Sequence, residues 1–356
     1  MALSKHKLVR DGLQQSIMSG EFAAGEQMPG EHVIAKRFGV SYMTARRAVC
    51  DLVEADLLER RSGKGTYVRL RTDMSPTVAT LNLITTAYDG SMVRDFIRNG
   101  FHLADSRGWR ANIVRLGPGQ QDLAVKAVRE GDYSIVMLDD IPTTSALAEA
   151  MRGQSDRTVV VQFRKAYQGV PAVMYDESAT IDLAVRHLRE AGHQRIALVP
   201  QAPPIESGIR QRSRWRELMS ERFSEADIDA MLIEIDVPLF RCPSQQAYEA
   251  IRSYLSRETV PVTAMITLGD EIAIGVMQAC RDAGRSVPES ISLVNVGDSP
   301  LLAMANPAVT AVDVNYHDQL AASMKILVGK LMVSPFGEPY VVAPKLRLGE
   351  SVRNVG

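Results

Sequence analysis

The stretch GVSYMTARRAV, residues 39–49, places two hydroxyls, Ser41 and Thr44, next to two guanidinium groups, Arg46 and Arg47. Such a set can hydrogen-bond base edges and neutralise phosphates, and an ordinary amphipathic surface helix can carry it too. Ser41 is suited to cap a helix, because its hydroxyl can satisfy one of the free amide donors at a helix start. From there Ala45, Ala48, Val49 and Leu52 recur at helical spacing as one apolar stripe. At ~100° per residue Met43 and Arg47 fall opposite that stripe and Arg46 on its flank, so the exposed start of the helix meets an anionic or hydrogen-bonding surface. A second basic group follows in LLERRSGKGTYVRL, where Arg60, Arg61, Lys64 and Arg69 supply charge for phosphates. Its SGKGT superficially resembles a phosphate-binding loop. That loop needs Gly-Lys followed directly by Ser or Thr between a strand and a helix, whereas Gly65 intervenes here and strands are expected on both sides.

Other chemistry has no visible centre. The chain lacks Gly-x-Ser-x-Gly, His-Glu-x-x-His and a complete dinucleotide fingerprint. Asp139-Asp140 and Asp270-Glu271 are adjacent pairs, and neighbours on a strand point to opposite faces. His187 and His193 are too far apart to share a helix face as an i, i+4 metal pair would. No catalytic residue, metal site or cofactor is expected.

The elements that must position these groups read clearly in the first seventy residues. KLVRDGLQQSIMSG has Leu8, Val9, Leu13 and Ile17 at helical spacing, with Gly20 as a C-cap. FAAGEQMPGEHVIAKRFG gives a Gly-Pro-rich turn and a short helix from Glu31 to Phe38, closed by Gly39. The Ser41 helix and a β-hairpin complete a winged helix-turn-helix, whose second paired helix enters the major groove. Charge agrees. Residues 1–72 carry twelve Lys and Arg against eight Asp and Glu, while the rest of the chain has a balance of −5.

Residues 71–78 are polar with a proline and read as a linker between residues 1–70 and 79–356. Beyond it, VATLNLIT, SIVML, TVVVQ, RIALV, AMIT and ISLV are candidate buried strands. They alternate with helical stretches such as VRDFIRNGFHLADSRG and IDLAVRHLREAG. That alternation predicts parallel sheets covered on both faces, with ligands at the carboxyl ends of the strands. Trp109 and Trp215 sit in amphipathic contexts and read as core. Three scattered cysteines, no signal-like start and no apolar run near the ~20 residues of a membrane span predict a cytoplasmic protein with no membrane partner.

Residues 5–69 closely resemble the DNA-binding domain of the GntR family. The shared features are Ser-Gly before a Pro-Gly-type turn, Ala-x-x-Phe-x-Val-Ser, Thr-x-Arg-x-Ala, and Gly-x-Gly-Thr in the wing. The resemblance implies double-stranded operator DNA as partner. The contacts would come from His32, Ser41, Tyr42, Thr44, Arg46 and Arg47, with Gly63, Lys64 and Gly65 in the wing. Tyr42 stands where the family commonly has arginine.

From about Ala79 onward the chain resembles the effector domain of the LacI/GalR family. YDESATIDLAVRHLREAGHQRIALV and the long block from Val262 to Val312 carry the likeness. It implies two α/β lobes with a cleft, the chain crossing between them near residues 172, 310 and 338. It also implies a carbohydrate effector. Asp270, Asp298 and Tyr316 match effector positions, with Gly269 and Gly297 replacing an asparagine and an acid beside them. Arg212 lies one residue from the strict position, Gln211, and Arg210 competes with it. Tyr88 and Asp89 follow the first strand and Arg164 the fourth, and all three should face the cleft.

The expected fold class is therefore α/β: an N-terminal winged helix-turn-helix plus a two-lobed, doubly wound, periplasmic-binding-protein-like domain. The combination resembles the arabinose repressor group, implying a homodimeric, effector-controlled repressor. Two other readings are a GntR-type head on an aminotransferase-like body and a solute-binding protein. The first needs a pyridoxal-phosphate lysine in context, the second an export signal.

Overall fold

The computed structural model describes residues 5–18, 21–22, 25–54, 57–61, 65–68, 78–88, 90–117, 119–138, 143–162, 169–200, 205–237, 242–257 and 261–356. The chain divides into two compact units, residues 1–77 and 78–356.

In the first unit, α1 (Lys5–Met18), α2 (Glu31–Phe38) and α3 (Tyr42–Glu54) precede a hairpin of β1 (Leu58–Arg61) and β2 (Gly65–Val68). The apolar stripe of α3 is its core. Ala45, Ala48, Val49 and Leu52 are essentially unexposed and pack with Val9 and Leu13 of α1, Ile34 of α2 and Leu58 of β1. Alanines at the crossing let α1 approach α3 closely. Gly39 ends α2 in the left-handed conformation, φ 63°, which a side chain would disfavour. The segment read as a turn does more than turn. Met28 N–H donates to Thr66 and Val68 N–H to Glu26, so residues 26–28 lie along β2 with Gln27 bridging Tyr67. Gly20, proposed as the cap of α1, and most of the linker at 71–78 lie outside the described residues.

The second unit holds two lobes. The first has a parallel sheet in the order β12-β7-β6-β5-β3-β4. Its strands are β3 (Thr80–Thr86), β4 (Arg110–Leu116), β5 (Tyr133–Met137), β6 (Thr158–Val161), β7 (Ala172–Tyr175) and, from the chain's far end, β12 (Tyr340–Val342). Side chains alternate across it. Leu81 and Leu83 face a core shared with α4 (Ser91–Asp105) and α13 (Tyr316–Leu327), while Ile84 faces the side of α5 (Gln121–Glu130) and α6 (Ser145–Gly153). Burial on both faces explains the near-continuous apolar runs of the inner strands. β4 is the edge strand, its residues largely exposed, so its RANIVRL shows no such run.

The second lobe orders its strands β13-β11-β10-β9-β8: β8 (Ile196–Val199), β9 (Ala264–Leu268), β10 (Ser292–Val296), β11 (Thr310–Asp313) and β13 (Lys345–Arg347). All pair in parallel except β13 with β11. The helices α7 (Glu177–Glu190), α8 (Glu206–Ser220), α9 (Glu225–Met231), α10 (Ser244–Leu255), α11 (Asp270–Asp282) and α12 (Pro300–Ala303) belong to it. The chain crosses between lobes between Tyr175 and Glu177, between Asp313 and Tyr316, and between Val342 and Lys345. Each crossing falls a few residues beyond the expected 172, 310 and 338, because the strand leading into it runs on to that point.

Trp215 is core, while Trp109 is half-buried at the margin of the first lobe's core. Trp109 stacks on Tyr133 at 4.5 Å with ring planes 2° apart. Trp215 is fully buried, its indole N–H donating to the Ile196 carbonyl at 3.1 Å. Trp215→Ala removes a large core side chain that cannot be refilled, and is expected to cost about 3–5 kcal/mol. Urea unfolding of parent and variant measures it, and a loss under about 1 kcal/mol would show the core collapsing around the gap.

Candidate functional site

The head presents the start of α3. Ser41 caps it as expected, its hydroxyl accepting from Thr44 N–H at 3.2 Å and lying 2.8 Å from the Thr44 hydroxyl. Met43, Arg46 and Arg47 are exposed beyond the cap. Tyr42 is half-buried and turned toward α2, where it stacks on His32 with centroids 4.4 Å apart. Glu31 is shared between the Tyr42 hydroxyl and the Arg60 guanidinium of the hairpin, which stands 3.2 Å away. The aromatic pair and this carboxylate tie α2, α3 and the wing together at the end where the exposed arginines emerge. Gly65 opens β2 with φ 107°. Gly63 and Lys64 lie outside the described residues.

The body carries a cleft between its lobes, at the carboxyl ends of the strands. Tyr88, Asp270, Asp298 and Tyr316 line it. Asp89 and Arg164 lie outside the described residues. Arg212 is not on the cleft wall: its guanidinium pairs with Glu234 at 2.6 Å, and Gln211, one residue earlier on α8, faces the cleft instead. The reason is helical geometry, since adjacent positions on a helix differ by about 100° in direction. Asp270 and Glu271 are also not strand neighbours. They form the first turn of α11 after Gly269 ends β9, so both acids can serve one cleft.

Three acids govern the electrostatics. Asp95, on the first lobe's α4, pairs with Arg98 at 2.7 Å. Burial nonetheless pushes its carboxyl up to about 6, with Asp270 and Asp313 of the opposite lobe adding repulsion. Burial likewise raises Asp270, reinforced by Glu271 and Asp298 and opposed by the Ser299 and Asn295 side chains. Burial is also the main cause raising Asp313. Asp298 is differently placed. Arg347 grips both its oxygens at 2.7 Å and also donates to the Val309 carbonyl.

The lobes are latched by Glu271. One of its oxygens accepts from Ser91 N–H at 2.9 Å and from Arg94 at 2.8 Å, and the other from the Ser91 hydroxyl at 3.3 Å. A carboxylate of one lobe thus caps the positive end of a helix in the other. The space enclosed is about 70 Å³, below the ~300 Å³ at which ligand pockets begin. A ligand of several hydroxylated carbons therefore requires the lobes to part.

The sequence does not single out Ser91, Arg94, Asp95, Asn295 and Arg347, and it offers Glu271 only as a strand neighbour of Asp270. Asp95 looked like one more polar residue on an amphipathic helix, and nothing local shows that α4 starts at a cleft. His193 is structural. Its Nε2 lies 3.1 Å from the Arg353 carbonyl, an acceptor only, so that nitrogen carries the proton and Nδ1 accepts from Thr263 at 2.8 Å.

The raised Asp95 carboxyl has a testable sign. An unfolded aspartate titrates near ~3.9, so a group held at about 6 contributes stability below about pH 4 that is lost as pH rises through about 6. Asp95→Asn removes that loss. Thermal midpoints are expected to shift in the variant's favour between about pH 4.5 and about pH 7, relative to parent, and a constant difference would contradict the buried acid.

Residues 5–68 match the family described as bacterial regulatory proteins, gntR family, and residues 185–352 match a periplasmic binding protein-like domain. The arabinose metabolism transcriptional repressor of Geobacillus stearothermophilus is 24% identical over 307 residues, covering 83% of this chain and 82% of the relative. Among solved structures, the LacI-family regulator of Enterococcus faecium with bound ribose superposes with a TM-score of 0.65 at 20% identity. It covers 78% of this chain and all of its own. The LacI-family regulator CCPA of Weissella paramesenteroides with bound sucrose gives 0.64 at 19% identity, with the same coverage. The chain thus joins a GntR-family helix-turn-helix domain to a periplasmic-binding-protein-like domain with the fold of LacI-family regulators.

Proposed function

We propose that this protein is a transcriptional repressor that binds double-stranded DNA as a homodimer and is controlled by a carbohydrate held in the interlobe cleft. The observation that carries this reading is the convergence of Asp95, Asp270 and Glu271 from two lobes on one cleft, in a chain that also carries a helix-turn-helix head. Carboxylates and tyrosines lining one cleft suit paired hydroxyls and the apolar side of a sugar ring. The Geobacillus relative, named as an arabinose metabolism repressor, and the neighbours solved with ribose and sucrose support it. An aminotransferase-like body is disfavoured by the periplasmic-binding-protein-like fold, and a transport receptor by the head.

In this reading Thr44, Arg46 and Arg47 approach DNA from the start of α3, and His32 with the wing residues Gly63, Lys64 and Gly65 flanks the backbone. A single head covers only roughly 600–1,000 Å² of DNA-facing surface, so tight binding draws on two heads at related half-sites. A sugar controls them through its differential affinity for the open and closed lobes. The cell compartment that fits this work is the cytoplasm.

Operator DNA selected from a random pool and titrated by fluorescence anisotropy tests both ends. Arg46→Ala is expected to cost about 1–3 kcal/mol and to relax preference at one base position. Asp270→Ala should leave DNA affinity as in the parent while abolishing its decrease by sugar. Parent-like behaviour of both variants would remove the groove and the cleft assignments together.

A further inference from the structure

Behind the cleft wall of the second lobe runs a buried chain of hydrogen bonds. Thr267 on β9 and Asn295 on β10 are direct cross-strand partners, and both are fully buried. The Thr267 hydroxyl donates to Oδ1 of Asn295 at 2.7 Å. Nδ2 of Asn295 donates to Oδ1 of Asp270 at 2.9 Å and to the Gly297 carbonyl at 2.8 Å. The amide has one orientation. Turned over, its oxygen would face a carboxylate and a carbonyl, which both only accept. Gly297, at φ 108°, makes room: a Cβ there would stand 3.2 Å from Oδ1 of Asp270 and 3.5 Å from Nδ2 of Asn295. Here glycine replaces an acid of the LacI/GalR pattern, and the space goes to this link.

Asp270 needs such a partner. It is buried, and carboxyl groups stand near it: Asp95 on α4, Glu271 beside it on α11 and Asp298 after β10. The nearby cation, Arg347 of β13, is committed to Asp298. Asn295 does not line the cleft, whereas Asp270 does.

We propose that Asn295 is the positioning residue of the cleft, holding Asp270 by Oδ1 beside the Ser299 side chain, so that Asp270 stays an acceptor for a ligand hydroxyl. The assignment rests on the carbohydrate reading above and deepens it. It explains how a carboxylate among carboxylates remains useful for binding.

The test uses the full chain with Asn295→Leu and Asn295→Asp, folding being checked by circular dichroism. In the ligand-free protein, carbon-13 NMR follows the Asp270 carboxyl against pH, its signal identified by its loss in Asp270→Asn. Asn295→Leu is expected to raise the Asp270 titration by about one pH unit, because a hydrogen bond to the charged form is gone. In Asn295→Asp two carboxyl groups face each other, and the pair is expected to keep one proton to still higher pH. The second variant preserves shape and carries the test if the leucine variant does not fold.

Ribose, glucose and sucrose are then titrated calorimetrically. A sugar that binds the parent should lose roughly tenfold or more in affinity with Asn295→Leu. With Asn295→Asp the loss should be large at about pH 8 and recover toward about pH 5, where one of the pair is protonated. A residue that merely fills space would weaken binding equally at both. An Asp270 titration unmoved in both variants overturns the proposal. Failure of all three sugars to bind the parent counts against the carbohydrate reading, while the ligand-free titration still decides the hold of Asn295 on Asp270.

Discussion

Carboxylates withdrawn from water between two lobes are the constraint on which the body of this protein depends. Closing the cleft buries Asp95 and Asp270 from opposite sides, and each raises the cost of charge on the other. Against that cost stands Glu271, whose bonds to Ser91 and Arg94 span the lobes. Charge-assisted hydrogen bonds are worth roughly 1.5–3 kcal/mol each, the same order as the penalties they oppose. Near-balance is what a responsive protein requires. Hydroxyl donors brought to the two aspartates would meet acceptors that otherwise repel.

The head works under a different constraint. Its arginines must stay in water, so α3 has to be rigid from its buried side alone. Two alanines, Val49 and Leu52 supply that rigidity by packing, and the Ser41 cap fixes where the helix begins. The Tyr42–His32 stack then locks α3 to α2, spending on internal order an aromatic that a base-reading role would leave free. Glu31 adds the hairpin to the same unit through Arg60. Exposed arginines and scaffold meet within one helical turn.

Periodicity made the inner architecture legible. The stripe of α3, the span of α2 and the buried strands β3, β5, β6, β8, β9 and β10 all show in residue types, because burial on both faces demands apolar runs. Three edge strands escaped, whereas β8, also at an edge, is fully buried and reads as an apolar run. β4 carries arginines and an asparagine toward solvent, and β12 and β13 are too short to show a pattern. The cleft was half legible for a similar reason. Asp270, Asp298, Tyr88 and Tyr316 follow or begin recognisable elements, whereas Asp95, Glu271 and Arg347 matter through partners up to 180 residues away. Arg212 was misplaced by one helical position, where the structure turns Gln211 to the cleft. Asn295 lay in a strand that reads as uniformly buried, and only its neighbours on β9 and α11 give it meaning.

The three crossings between the lobes have a mechanical consequence. Each is only a few residues long, and together they join two stiff bodies by three short tethers. Such a joint resists sliding, since sliding would stretch some tethers while slackening others. Bending about the line through the tethers is the compliant direction left to it. A force applied at the cleft mouth is therefore channelled into one angle, as with a door on three hinges, and little of it goes into other deformations.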